Sequence, residues 1–116
     1  MFRRRARMSG SSDTSALRLD ISWDPVKAQS NMAKHEGVTF VLAATVLLDG
    51  LALTVFDAAH SQTEERWFTL GSSSDGKLLA VSHTYQHTGP LDVAVSIISA
   101  RKATRRERQQ YENEPR

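Results

Sequence analysis

The chain has 116 residues, which is enough for one domain and too few for two. It contains no cysteine, which excludes disulfide bonds and thiolate zinc sites. The net charge of +2 combines a basic start, an acidic middle and a basic end, so any surface for nucleic acid must be local.

The first 18 residues are predicted to lie outside the folded domain. They are polar and rich in Arg and Ser, and they cannot bury enough apolar surface to offset the entropy lost on ordering. We therefore expect a disordered basic tail over 1–18 and a single domain over 19–113. Polar residues follow the initial arginines, so a signal peptide is not expected. The longest apolar run, FVLAATVLL, is too short to cross a membrane.

A short strand at LRLDISW is followed by two predicted helices. In the first helix, Asp24 suits the N-cap, Pro25 suits the first helical position and Gly37 suits the end. The second helix, TFVLAATVLLD, has Thr39 as its cap. It is apolar on nearly every side, so we expect it to be the buried helix.

The second half of the chain contains the alternating and β-branched segments that are typical of strands. LALTVFD is one strand candidate, and RWFTLGSSSDGKLLAVSHTY predicts a hairpin that turns at Asp75 and Gly76. VAVSIIS is the last strand candidate. Short turns between consecutive strands predict an antiparallel meander.

The chain ends in a predicted helix. Thr104 and Glu107 match a capping box, so this helix is expected to begin at Arg105. Arg101 and Lys102 would then lie in the turn between the last strand and the helix. The predicted fold class is α+β: a small antiparallel sheet meander packed against two N-terminal helices, with one C-terminal helix.

Two groups of basic residues are candidates for phosphate binding. On the first helix, one face is polar and mostly cationic, and it comprises Lys27, Asn31, Lys34 and His35. From periodicity alone, this is typical of a solvated face opposite a side that Val26 and Ala33 would bury. The arginines near the end of the chain are either a solvated helix end or a set of cations that reaches phosphate.

Other polar residues carry weaker signals. Arg66 follows two glutamates, which is typical of surface ion pairs on a hairpin. His83 and His87 are four residues apart, but they fall in a strand end and a turn and have no carboxylate ligand nearby. We therefore expect no metal site and no cofactor.

Three segments taken together resemble the BrnT family. They are WDPVKAQSNMAKHEGVTF, HSQTEERWFTLG and IISARKATRRERQQYE, and the resemblance runs from about residue 19 to 112. This family comprises toxins of type II toxin–antitoxin pairs with a RelE-like ribonuclease fold. The resemblance implies a cytoplasmic endoribonuclease that cuts RNA without a metal ion and so inhibits translation.

The resemblance also implies partners. These are an RNA substrate and a BrnA-type antitoxin, whose ribbon-helix-helix part binds operator DNA, so that the toxin reaches DNA only through the antitoxin. A heterotetramer with the antitoxin is expected, and no membrane partner. Ser72 stands where a basic residue is common in the family. A second hypothesis is therefore a catalytically inactive module that acts only as a co-repressor with its antitoxin.

The family motifs map onto specific residues of this chain. The KH motif falls on Lys34 and His35, and the ERW motif falls on Glu65 and Arg66 with Trp67. The SARKAT motif falls on Arg101 and Lys102, followed by Arg105. RNA-binding roles are expected for Lys27, Asn31, Lys102 and Arg105.

Catalytic roles follow from what RNA cleavage without a metal requires. A base must take the 2′-hydroxyl proton, cations must stabilise the phosphorane, and an acid must protonate the 5′-oxygen. Arg66 and Arg101 are assigned to the phosphate, because a guanidinium binds it with two parallel hydrogen bonds. Lys34 is a second phosphate contact or the base. His35 is the first choice for base or acid because histidine is the residue type that changes charge nearest neutral pH, with Glu65 as the alternative.

Overall fold

The computed structural model describes the backbone of residues 6–11 and all of residues 17–115. The described elements, in chain order, are β1 (Ala6–Ser11), β2 (Arg18–Trp23), α1 (Pro25–Lys34), α2 (Phe40–Val46), β3 (Leu53–Phe56), a 3₁₀ turn (Ala58–His60), β4 (Trp67–Ser72), β5 (Leu78–His83), β6 (Gln86–His87), β7 (Asp92–Lys102) and α3 (Arg105–Asn113). Over these residues, no helix combines the length and the apolar character needed to span a bilayer.

The strands form one mixed sheet, and the predicted α+β class is confirmed. The strand order is β1-β2-β7-β5-β4-β3, and the short β6 also pairs with β7. β2 and β7 run parallel, with Ile21 opposite Val95, whereas the other pairs are antiparallel. The prediction of a purely antiparallel meander is therefore wrong. The first strand of the predicted domain lies beside the last, and such a long-range pairing leaves no local turn signal in the sequence.

The N-terminal segment contains a strand where we expected a disordered tail over 1–18. Ala6–Ser11 pair with β2, and Arg18 begins β2. Residues 1–5 and 12–16 lie outside the described part of the chain. Composition did not indicate this strand, because edge pairing depends on backbone hydrogen bonds and not on apolar side chains.

The helix start signals are confirmed. The Asp24 carboxylate accepts a hydrogen bond from Val26 N–H at 2.9 Å, and Pro25 opens α1. The Thr39 hydroxyl accepts a hydrogen bond from Leu42 N–H at 3.1 Å and caps α2. These caps satisfy N–H groups that have no partner within a first helical turn.

The main core lies between α2 and one face of the sheet. Phe40 and Ala44 of α2 are buried against alternating residues of the strands, such as Ile21, Val81 and Val95. The prediction that the second helix is buried is confirmed, although Val41 on its outer side is exposed.

A smaller apolar cluster lies on the opposite face of the sheet. Leu78 and Ala80 alternate with the core residues of β5, so they point to that other face. Ala103 and Tyr111 pack against this second cluster and so hold the last helix to the sheet. The two clusters place α2 and α3 on opposite faces of the sheet.

The end of β7 differs from the prediction. Arg101 and Lys102 are the last residues of the strand and do not lie in a turn. The capping box that follows is confirmed: Glu107 N–H donates to the Thr104 hydroxyl at 3.1 Å, and Thr104 N–H donates to the Glu107 carboxylate at 2.8 Å. The predicted hairpin β4–β5 is also present, with Gly76 at a φ of +83° in its turn.

Candidate functional site

The candidate site is built where β7 extends beyond its neighbour β2. β2 ends at Trp23, opposite Ile97, whereas β7 continues to Lys102. In place of a strand, α1 packs against this part of β7. Asn31 of α1 pairs with the backbone of Ala100, so the helix lies directly against the open strand edge.

Basic residues from α1 and β7 meet at this edge. Two shallow depressions of about 190 and 260 Å³ adjoin here and share Lys34 and His35. Lys27 lines the first depression, and Arg101 and Lys102 line the second. We refer to these five residues as the α1–β7 cluster. The structure thus brings together two of the three segments in which the sequence predicted site residues.

Arg101 is held in a fixed orientation. Its two terminal nitrogens donate to the two carboxylate oxygens of Glu107 at 2.7 and 3.0 Å. Its guanidinium also lies 5.8 Å from the ring centre of Phe68, within cation–π range. The hydrogen bond from Arg101 is the main reason that the pKa of Glu107 falls from 4.5 to about 2. The same hydrogen bond raises the pKa of Arg101.

The other cations of the cluster differ in how far they are neutralised. Lys102 forms an exposed ion pair with Glu36 at 3.1 Å. Within the described residues, Lys27 and Lys34 form no salt bridge. Their charges are therefore uncompensated and available to an anionic ligand such as a phosphate.

Glu65 and Arg66 do not join the α1–β7 cluster. Glu65 lines a larger depression with Tyr85 and Gln86, and Arg66 lines another, separate one beside His60. Through the strand register, Arg101 is level with Leu70. Arg66 lies four residues before Leu70, about 13 Å along the strand at about 3.3 Å per residue. The predicted site is therefore divided into separate regions.

Two predicted RNA-binding residues have unexpected positions. Asn31 is only 5% exposed, and its amide is occupied by backbone groups, which does not support a direct contact with RNA. Arg105 is exposed in the first turn of α3 and lines neither depression of the cluster.

The orientation of α1 also differs from the prediction. Val26 and Ala33, which we expected to be buried, are exposed. α1 is therefore anchored by its polar face.

Sequence reasoning missed the acidic partners of the cluster. Glu107 was recognised only as part of a capping box, although the same carboxylate also binds Arg101. Glu36, the partner of Lys102, follows directly after the KH motif. No local pattern in the sequence indicates these pairs, because their members come from different elements.

His83 is buried outside the cluster in a chain of hydrogen bonds. It is 1% exposed, and Nδ1 donates to the Thr84 carbonyl at 2.8 Å. Nε2 lies 2.6 Å from the hydroxyl of Thr69, which in turn lies 2.8 Å from that of Thr54. A carbonyl can only accept, so Nδ1 carries a proton, and the neutral form of His83 is the Nδ1–H tautomer. Burial lowers the pKa of His83 and favours this neutral form.

The comparison with protein-family models identifies one family. The family model "Ribonuclease toxin, BrnT, of type II toxin-antitoxin system" matches residues 23–107. The chain is also similar to the crystal structure of the Brucella abortus ribonuclease toxin BrnT, with 27% sequence identity and a TM-score of 0.49, over 72% of this chain and 94% of that chain. A comparison with curated proteins gave no match. The family match includes all five residues of the α1–β7 cluster.

Proposed function

This chain belongs to the BrnT family of ribonuclease toxins of type II toxin–antitoxin systems, and we propose that it cleaves RNA without a metal ion at the α1–β7 cluster. Membership of such a system implies RNA as substrate and a protein antitoxin as partner. The observation that carries the site assignment is the meeting of Lys34 and His35 with Arg101, from elements remote in sequence, at adjoining depressions.

In this proposal, the cluster supplies the charge that the transition state needs. Arg101 faces the phosphate with its remaining N–H groups, since a guanidinium has five donors, of which Glu107 takes two and the Lys102 carbonyl takes one. Lys34 is the second phosphate contact, because its charge is uncompensated among the described residues. Together these cations stabilise the phosphorane without an ion such as Mg²⁺.

His35 is the proposed base for the 2′-hydroxyl proton. It is a histidine, the side chain that most often serves as a general base in enzymes, and it lines both depressions beside Lys34. Lys27 and Lys102 extend the positive surface on either side and are proposed to bind neighbouring phosphates. Arg105, which is exposed three residues after Lys102, is proposed to reach a further phosphate.

Arg66 and Glu65 have no chemical step in this proposal. Both line depressions that contain no residue of the α1–β7 cluster. Arg66 is instead proposed to bind a more distant phosphate of the same RNA. Alanine at position 66 should then weaken RNA binding and leave the cleavage rate at saturating RNA unchanged.

The biological role follows from the same family membership. We propose a RelE-like ribonuclease that acts in the cytoplasm and inhibits translation by cutting RNA. Its antitoxin is proposed to be a BrnA-type ribbon-helix-helix protein that carries the complex to operator DNA. Co-expression followed by light scattering tests the expected heterotetramer with the antitoxin.

The cleavage test uses purified protein and end-labelled RNA with EDTA present. Wild type and Arg108→Ala should cleave, whereas Lys34→Ala and Arg101→Ala should lose activity by about a hundredfold or more. Arg108 is a matched control, because it is a surface arginine of α3 paired with Glu112 outside the cluster. Full activity of both cluster variants would refute the site. If wild type cuts no RNA, the proposed ribonuclease activity is refuted. The alternative, an inactive co-repressor, predicts that induced expression of the protein leaves cell growth unchanged.

A further inference from the structure

The edge of β7 beyond β2 has backbone groups that need partners. In β7, Ala100 lies opposite Val81 of β5, but its N–H and C=O are hydrogen-bonded to Asn31, so they point away from β5. On that side, β2 has already ended opposite Ile97. Ala100 is fully buried, and its backbone groups would be costly to leave without hydrogen bonds.

Asn31 supplies those hydrogen bonds from a single side chain. Its Oδ1 accepts from Ala100 N–H at 3.0 Å, and its Nδ2 donates to the Ala100 carbonyl at 2.8 Å. The same Nδ2 donates to the carbonyl of Val38 at 3.2 Å, just before α2. The amide therefore takes the place of a neighbouring strand and joins α1, β7 and the α1–α2 connection.

Asn31 lies at the centre of the cationic face of α1. Lys27 is four residues before it, and Lys34 and His35 are three and four residues after it. Residues at these spacings share one side of a helix. A pair of hydrogen bonds at the middle of this face therefore fixes how far its cations lie from β7, and in particular from Arg101, the residue after Ala100.

We propose that Asn31 is the positioning residue of the α1–β7 cluster, and this rests on the proposed ribonuclease function. Asn31 itself is buried, and its amide is occupied by backbone groups of β7 and of the α1–α2 connection. It holds Lys34 and His35 in register with Arg101, so that a phosphate meets the cations of both elements at once. Its role is thus separate from the direct RNA contact that the sequence pattern indicated.

The test compares Asn31→Ala and Asn31→Ser with Val93→Ala. Val93 is 1% exposed and lies at the opposite end of β7, so its variant loses core packing without touching the cluster. All proteins are assayed at a temperature at which circular dichroism shows them folded. Three quantities are measured: hydrogen exchange at the Ala100 amide, cleavage of labelled RNA, and affinity for the same RNA with a 2′-deoxy substitution that prevents cleavage.

The proposal predicts a selective effect. Exchange at Ala100 should become faster in both Asn31 variants and not in Val93→Ala. Cleavage at saturating RNA should fall by about tenfold or more relative to Val93→Ala, because small displacements of catalytic groups are costly. Asn31 variants that cleave RNA as well as Val93→Ala would overturn the proposal. Failure of both Asn31 variants to fold would also overturn it, because Asn31 would then have a purely structural role.

Failure of the ribonuclease proposal gives a different result. If wild type does not cut RNA, its affinity for the 2′-deoxy RNA decides. Weaker binding by Asn31→Ala than by Val93→Ala would then support positioning of phosphate-binding cations without catalysis. Equal binding by the two variants, or no binding by wild type, would overturn the positioning role as well.

Discussion

Replacement of Glu107 by Gln tests how firmly the end of β7 is held to α3. Glu107 accepts two hydrogen bonds from Arg101, at 2.7 and 3.0 Å, and one from Thr104 N–H at 2.8 Å. Glutamine keeps the shape and an acceptor for Thr104 but loses the charge and one acceptor for Arg101. Hydrogen bonds to charged groups contribute about 1.5–3 kcal/mol each when buried. Because the Arg101 side chain is 39% exposed, solvent screening reduces the expected loss to about 1–2 kcal/mol for the pair.

Urea unfolding at several pH values measures this loss. The pKa of Glu107 is about 2 in the folded chain against an ordinary 4.5, so its ionisation stabilises the fold at every pH above 4.5. That contribution is lost as pH falls from 4.5 towards 2, because the carboxyl becomes protonated and the charged pair disappears. The difference in unfolding free energy between wild type and Glu107→Gln should therefore be constant from pH 6 to 8 and decrease below pH 4.5.

The matched control is Glu112→Gln, on the same helix. Glu112 pairs with Arg108 at 3.7 Å, and both side chains are more than half exposed. Its loss should cost no more than about 0.5 kcal/mol, as is usual for exposed ion pairs within a helix. An equal effect of the two substitutions, or a difference for Glu107→Gln that stays the same at pH 3 and pH 7, would refute the argument that Arg101 and Glu107 form a structural pair.

Three further measurements test the core, the cluster and the buried histidine. Phe40→Ala should lower the unfolding free energy by about 3–5 kcal/mol, since Phe40 is 1% exposed in the main core, and a urea midpoint close to wild type would contradict this. Lys34→Ala should reduce the slope of log affinity against log salt for single-stranded RNA by about 0.7, and an unchanged slope would remove Lys34 from the interface. Burial lowers the pKa of His83 below 6.5, so only the unfolded chain takes up its proton just below that pH. The unfolding free energy of wild type should therefore fall more steeply below pH 6.5 than that of His83→Gln. Equal slopes for the two proteins would show that His83 does not cause this pH dependence.

The helices were readable from the sequence because their signals are local. Asp24 with Pro25, Thr39, and Thr104 with Glu107 each specify a first helical turn from residues within four positions of one another. The pairing of β2 with β7 joins residues more than seventy positions apart, as in Ile21 and Val95. No short pattern encodes such a pairing, so the parallel neighbour in the sheet was missed.

The candidate site was partly predictable for the same reason. Lys34, His35 and Arg101 were named from short motifs, and the structure brings them together. The family motifs also led us to expect Arg66 beside these residues. The sheet register instead places Arg66 at a distance from Arg101. The burial of Asn31 was not predicted, because helical spacing indicates which residues share a face and not which way that face is turned.

The position of the α1–β7 cluster follows from where β2 stops. Asp24 and Pro25 end the strand directly after Trp23, because proline cannot donate a ladder hydrogen bond and suits the first turn of a helix. β7 pairs with β2 only as far as Ile97, so its last five residues have an open edge. A polar helix face with an amide at its centre can lie on that edge, whereas an apolar face would leave Ala100 without partners. The cations beside Asn31 are therefore at the end of β7 because the same helix face that satisfies the strand also carries them.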